Sequence, residues 1–122
     1  MYKNVFVYGT LMQGNSNHSI LEKGRFLGRG MLQGVALYAV TPYYPGAVRE
    51  RGKAVRGEVY EVDMETLKVL DWIEDNGNLY RREMFHVYLD YSGERLETWV
   101  YLWLQEVNSN SFIPLEEQPW RG

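Results

Sequence analysis

Val5, Phe6, Val7 and Tyr8 make an apolar run with no polar position inside it. A strand with one wet face alternates apolar and polar side chains, so this run predicts a strand over residues 4–8 that is covered on both faces. It stops at Gly9-Thr10, and the polar stretch from Gly9 to Asn17 predicts a loop. Ser16 or Asn17 can cap a short helix running through Ile20 and Leu21 to Gly24. RFLGRGMLQGVALYAV, from Arg25 onward, reads as short β segments punctuated by Gly28, Gly30 and Gly34. Tyr44-Pro45-Gly46 marks a turn, Ala47-Val48 a short strand, and RERGK at 49–53 an exposed hairpin tip. Residues 54–62 alternate, with Val55, Gly57, Val59 and Glu61 on one face and Arg56, Glu58, Tyr60 and Val62 on the other.

Asp63 caps the clearest helix, 64–74, which ends at Asp75-Asn76-Gly77, where Asn76 or Gly77 suits the left-handed position. Two longer strands, 80–91 and 96–104, flank a Ser92-Gly93 hairpin, and 105–122 reads as an irregular tail. Many strands with two helices predict an α+β fold, its sheet mostly antiparallel and barrel-like. No repeat or linker divides the chain, so residues 1–122 are expected to be one domain.

On a helical wheel of about 100° per residue, Met64, Leu67 and Leu70 define the inward face of the 64–74 helix. Glu74 falls between Leu67 and Leu70, whereas Glu65, Lys68 and Asp75 point away. Burial disfavours an ionised carboxylate, and the negative end of the helix dipole disfavours it further. A glutamate whose pKa rises towards neutrality is suited to general acid–base work. A terminal glutamate can also bend back to water, so both readings stand. Asp71 borders the same face and reads as structural, bonded to a neighbouring loop.

Gly9 allows a tight turn and close approach of a ligand, and the turn frees amides at Thr10 and Leu11 for an anion or a developing oxyanion. A plain turn is the competing explanation. GTLMQGN lacks the Lys-Ser/Thr ending of a phosphate loop. His18 and His86 are too few and too poorly spaced for a metal site, His18 being expected on a helix surface. Arg81-Arg82 and the arginines of 49–51 read as solvated or strand-edge charges.

Composition narrows the class. The 122 residues are 45% hydrophobic and 24% charged, as expected of a soluble globular protein, and the net charge of -3 with no basic run argues against nucleic acid or an anionic membrane as partner. Without a cysteine, no disulfide, thiolate metal site or Cys nucleophile is available. MYKNVFVYGTL is too short in its apolar part for a signal peptide, so a cytoplasmic location is expected. Ten tyrosines and four tryptophans are many for this length and suit a core or a pocket wall.

VFVYGTL followed by Gly-Asn, then YPGAV, GEVYEV, LDWIE, LYRR, WVYLW and a terminal PWRG, in this order, resembles the gamma-glutamylcyclotransferase-like proteins. The likeness runs from about Val5 to Tyr101. It implies a small mixed barrel with helices packed outside, and release of 5-oxoproline and a free amine from a γ-glutamyl substrate without metal or cofactor. Tyr8, Gly9, Thr10 and Leu11 would hold the glutamyl group, Glu74 would be the general acid/base, and Tyr101 would line the pocket, with Tyr44 and Tyr80 less clearly placed. The family often has glycine directly after the glutamate, whereas here Asp75-Asn76 precede Gly77. A binding module for a glutamyl-like ligand on the same fold, and an interaction protein without a site, are the alternatives. The oligomeric state is open.

Overall fold

The computed structural model describes all 122 residues. Its elements are β1 (Tyr2–Val7), β2 (Arg25–Tyr38), β3 (Gly46–Asp63), α1 (Met64–Ile73), β4 (Tyr80–Leu89), β5 (Arg95–Trp103) and β6 (Phe112–Ile113), with 3-10 turns at His18–Leu21, Ser109–Ser111 and Leu115–Glu117. The strand order is β3-β1-β5-β4-β2, and β2 also pairs with β3, which closes the sheet into a five-stranded barrel with β6 on the outside. Only β1–β5 is parallel; the other ladders are antiparallel. The mixed, mostly antiparallel barrel of an α+β fold is therefore observed, with one α-helix rather than several. No helix is long and apolar enough to cross a membrane.

β1 explains its unalternated sequence. It lies between β3 and β5 with Phe6 turned to the barrel interior, while Val5 and Val7 join a second core outside. That outer core lies between the barrel wall and α1, whose Leu67 and Leu70 are 2% and 0% exposed. Burying each such leucine is worth roughly 1.5–3 kcal/mol. Met64 is 39% exposed, contrary to the wheel, because α1 packs through its later turns rather than its first.

Local readings change where the sheet overrides them. β2 is one strand of 14 residues, not several short ones. Its register against β3 shifts at Phe26/Gly28 and at Gln33/Val35, so the glycines bend the strand without ending it. The 49–53 segment is exposed but is no hairpin tip: pairing passes from Gln33↔Ala54 to Val35↔Arg49, and residues 50–53 bulge within β3. The helix expected after Asn17 is a single 3-10 turn, because the Asn17 side chain bonds Thr10 Oγ1 and caps nothing.

α1 begins as expected, with Asp63 accepting from the Thr66 amide at 2.8 Å. At its other end Asp75 takes the left-handed position, φ 51°, in place of Asn76 or Gly77. The Asp75 amide donates to the Trp72 carbonyl and the Asn76 amide to that of Asp71, a Schellman closure. The Glu74 carbonyl then accepts from the Tyr80 amide at 3.2 Å, tying the end of α1 to the start of β4.

Gly57 is the tightest point of the wall. A Cβ there would strike the Val7 carbonyl oxygen and the Phe6 ring. Gly57→Ala is expected to lower stability by about 3 kcal/mol in urea unfolding, because backbone and core must both shift. A loss below about 1 kcal/mol would contradict this packing.

Candidate active site

The loop that leaves β1 turns inward on itself. The Gly9 carbonyl accepts from the Met12 amide at 3.1 Å and from Asn15 Nδ2 at 2.9 Å. The Thr10 carbonyl accepts from the Asn17 amide at 2.9 Å, and His18 Nδ1 lies 3.0 Å from the Leu11 carbonyl oxygen. A trans peptide points its N–H opposite to its C=O. Drawing the Gly9 and Thr10 carbonyls into the loop therefore aims the Thr10 and Leu11 amides the other way, and neither amide donates within the protein. His18 is thus a half-buried loop tie that opens the 3-10 turn and meets the Tyr60 ring at a tilt of 54°, rather than a residue of an exposed helix surface.

The loop is held from outside by Glu58. This carboxylate is 7% exposed and accepts from the Gln13 amide and from the Tyr60 hydroxyl, both at 3.0 Å. Nothing in the alternating pattern of β3 marked its hold on the loop, since the Gln13 amide lies in another segment.

On the other side of the loop is a cavity of about 270 Å³, walled by Tyr8, Gly9, Thr10, Leu11, Asn17, Tyr44, Pro45, Ile73, Glu74, Leu79, Tyr80 and Tyr101, with Phe6 and Val7 behind them. The residues singled out from the sequence, Tyr8, Gly9, Thr10, Leu11, Glu74 and Tyr101, all line this one cavity. Tyr44 and Tyr80 join them. Asn17, Pro45, Ile73 and Leu79 were missed as site residues; only Pro45 had a local signal, the Tyr44-Pro45-Gly46 turn.

Glu74 is the last-turn residue of α1 and caps it. No side chain or backbone amide of the protein donates to its carboxylate, unlike that of Glu58. Burial pushes its carboxyl up to about 7. No Lys, Arg or His lines the cavity, so nothing there opposes that shift.

The tyrosines differ by what their hydroxyls do. Tyr8 donates to the Tyr101 carbonyl at 2.6 Å and accepts from the Ala47 amide at 3.2 Å, so its hydroxyl is spent on the barrel and its ring forms wall. Tyr80 donates to the Pro45 carbonyl at 2.7 Å. Tyr101 donates to Asp71 Oδ1 at 2.6 Å. Asp71 also takes two bonds from Arg82, Nε to Oδ1 at 2.8 Å and Nη2 to Oδ2 at 3.0 Å. Asp71 is structural as expected, but through strands β4 and β5 rather than a loop. Arg82 is not a solvated charge: it is paired, and its guanidinium lies 4.3 Å from the Trp99 ring centroid. Burial would raise the Asp71 carboxyl, but its bonds from Arg82 and Tyr101 and the Arg82 charge hold it below the ordinary carboxylate range.

A small, partly open cavity with donors on one wall and an unpartnered carboxylate on another fits a compact zwitterion and proton transfer within it. Comparison with known proteins agrees in kind. Residues 5–122 match the family described as gamma-glutamyl cyclotransferase, AIG2-like, and the chain belongs to it. It is 39% identical over 102 residues to a candidate gamma-glutamylcyclotransferase of Methanocaldococcus jannaschii, covering 81% of this chain and 82% of that one. It is 38% identical over 112 residues to the gamma-glutamylaminecyclotransferase of Bos taurus, covering 80% of this chain and 63% of the other. The crystal structure of an AIG2-like protein from Mus musculus superposes with a TM-score of 0.75 at 31% identity, covering 83% of this chain and 76% of that one.

The raised Glu74 carboxyl links stability to pH. Its folded value of about 7 exceeds the reference 4.5, so the folded state holds this proton more tightly. The resulting stabilisation is complete below the unfolded value and is lost as pH rises through about 7. Glu74→Gln cannot ionise and is expected to melt about 3 °C or more above wild type at pH 8, with the gap closing in acid. Equal melting at pH 8 would mean that the carboxylate is in water.

Proposed function

We propose that the chain is a gamma-glutamylcyclotransferase, converting a γ-glutamyl amine or amino acid to 5-oxoproline and the free amine. The observation that carries this is the pairing, across one cavity, of the unpartnered Glu74 carboxylate with the free Thr10 and Leu11 amides. The family membership and the names of the relatives support the same reaction class.

Glu74, ionised, takes a proton from the substrate α-ammonium, and the amine so formed attacks the γ-carbonyl carbon of the same molecule. Five-membered ring closure needs no enzyme nucleophile, since proximity is built into the substrate. The carbonyl oxygen becomes an oxyanion, met by the Thr10 and Leu11 amides. As the intermediate collapses, the bond to the leaving nitrogen breaks and protonated Glu74 gives its proton to that nitrogen. The ring nitrogen sheds a second proton, and the amine departs as an ammonium ion. Gly9, Thr10 and Leu11 hold the glutamyl group by backbone, the Tyr8 ring supplies wall, and Tyr101 orients the substrate. A carboxyl titrating near neutrality can serve as base in the first half and acid in the second.

The test is 5-oxoproline release from a panel of γ-glutamyl amines and γ-glutamyl amino acids. Wild type is expected to turn over at least one of them, with kcat/KM rising as pH increases through about 7, and Glu74→Gln to lose roughly 10³-fold in kcat. Binding without turnover by wild type would instead favour a module that retains a glutamyl-like ligand.

A further inference from the structure

We propose that Tyr101 and Tyr80 are locked as hydrogen-bond acceptors, and that with Glu74 they form a wall that selects ligands carrying a free α-ammonium, with Asp71 and Arg82 as the positioning residues that impose the lock on Tyr101. This rests on the γ-glutamyl reading above and specifies how that substrate is recognised.

A tyrosine hydroxyl has one proton and two lone pairs. The Tyr101 proton is committed to Asp71 at 2.6 Å, because an ionised carboxylate can only accept. Asp71 is kept ionised by the two-pronged Arg82 contact. The Tyr80 proton is committed in the same way to the Pro45 carbonyl at 2.7 Å. The Tyr80 oxygen takes no bond from the protein and that of Tyr101 at most a weak one from Arg82, so each keeps at least one lone pair for the cavity. Tyr8 keeps only one lone pair, because Ala47 already donates to the other.

The opposite wall has the reverse polarity. Thr10 Oγ1 accepts from Asn17 Nδ2 at 2.9 Å and so retains its own proton to donate, beside the free Thr10 and Leu11 amides. The cavity thus has a donor side on the β1 loop and an acceptor side on α1, β4 and β5. A zwitterionic glutamyl end satisfies both sides at once. A desamino ligand leaves the acceptor side desolvated and unpaired, which weakens its binding.

The probes are γ-L-glutamyl-n-butylamine and its desamino counterpart N-butylglutaramate, titrated calorimetrically into Glu74→Gln, which cannot turn the first over by the proposed route. The amine-bearing probe is expected to bind at least about tenfold tighter, and adding Tyr101→Phe is expected to cut that preference about tenfold. Asp71→Ala should cut it similarly, by releasing the Tyr101 proton to serve as donor. Asp71→Asn should largely preserve it, since an amide oxygen can replace Oδ1, which takes both the Tyr101 and the Arg82 Nε bonds. A merely structural role for Tyr101 or Asp71 would weaken both probes alike and leave the ratio unchanged. If wild type releases 5-oxoproline from the amine probe but the ratio is unmoved by Tyr101→Phe, the acceptor wall is overturned and the enzymatic reading stands. If the amine probe is not bound and no γ-glutamyl compound of the panel is turned over, the γ-glutamyl reading falls, and this inference with it.

Discussion

β1 has a hydrogen-bonded neighbour on each edge and packed side chains on each face, and the site is organised around how the chain leaves that enclosed position. Where the chain leaves β1 it passes close to the Pro45 turn, whose ring would lie 3.0 Å from a Cβ at position 9. Gly9 lets the backbone pass under Pro45 and bend at once. The loop then satisfies its carbonyls internally, and the planarity of its peptides turns two amides to the cavity. A donor surface is therefore a by-product of ending a buried strand economically.

The opposite surface follows from how α1 is held. A carboxylate at a helix C-terminus, turned to an enclosed space, would be expected to swing out to water. The Schellman closure at Asp75, the Tyr80 amide on the Glu74 carbonyl and the Asp71–Arg82 contact fix the last turn of α1 against β4 and β5. Rigid backbone on both sides leaves the cost of desolvation to be met by a raised pKa rather than by movement. Glu58, in the same barrel, is relieved by two donors and serves the loop instead. Identical side chains thus diverge according to whether protein donors reach them.

Much of this was legible because it is local. Uniform apolarity in β1, the Asp63 cap and the Leu67/Leu70 stripe depend on neighbours within one or two turns, and the order of YGTL and LDWIE marked the two walls. What escaped depends on partners remote in sequence. Arg82 looked like a solvated charge until Asp71 met it, and His18 looked like a surface residue until the loop folded over it. The glycines of β2 looked like breaks because a lone strand would end there, whereas pairing with β3 resumes, in a shifted register, after each bulge.

The tyrosines mark the boundary most clearly. By itself the sequence set Glu74 on the apolar face of its helix, because periodicity is a property of a short segment, and it was the family resemblance that put tyrosines beside it. Only the tertiary structure decided that the Tyr8 hydroxyl gives its proton and one lone pair to the barrel while those of Tyr80 and Tyr101 commit their protons and keep lone pairs for the cavity. The direction of a hydroxyl proton is set by whichever acceptor lies within about 3 Å of it, and the carbonyls and carboxylates that set it here are brought there by closure of the sheet.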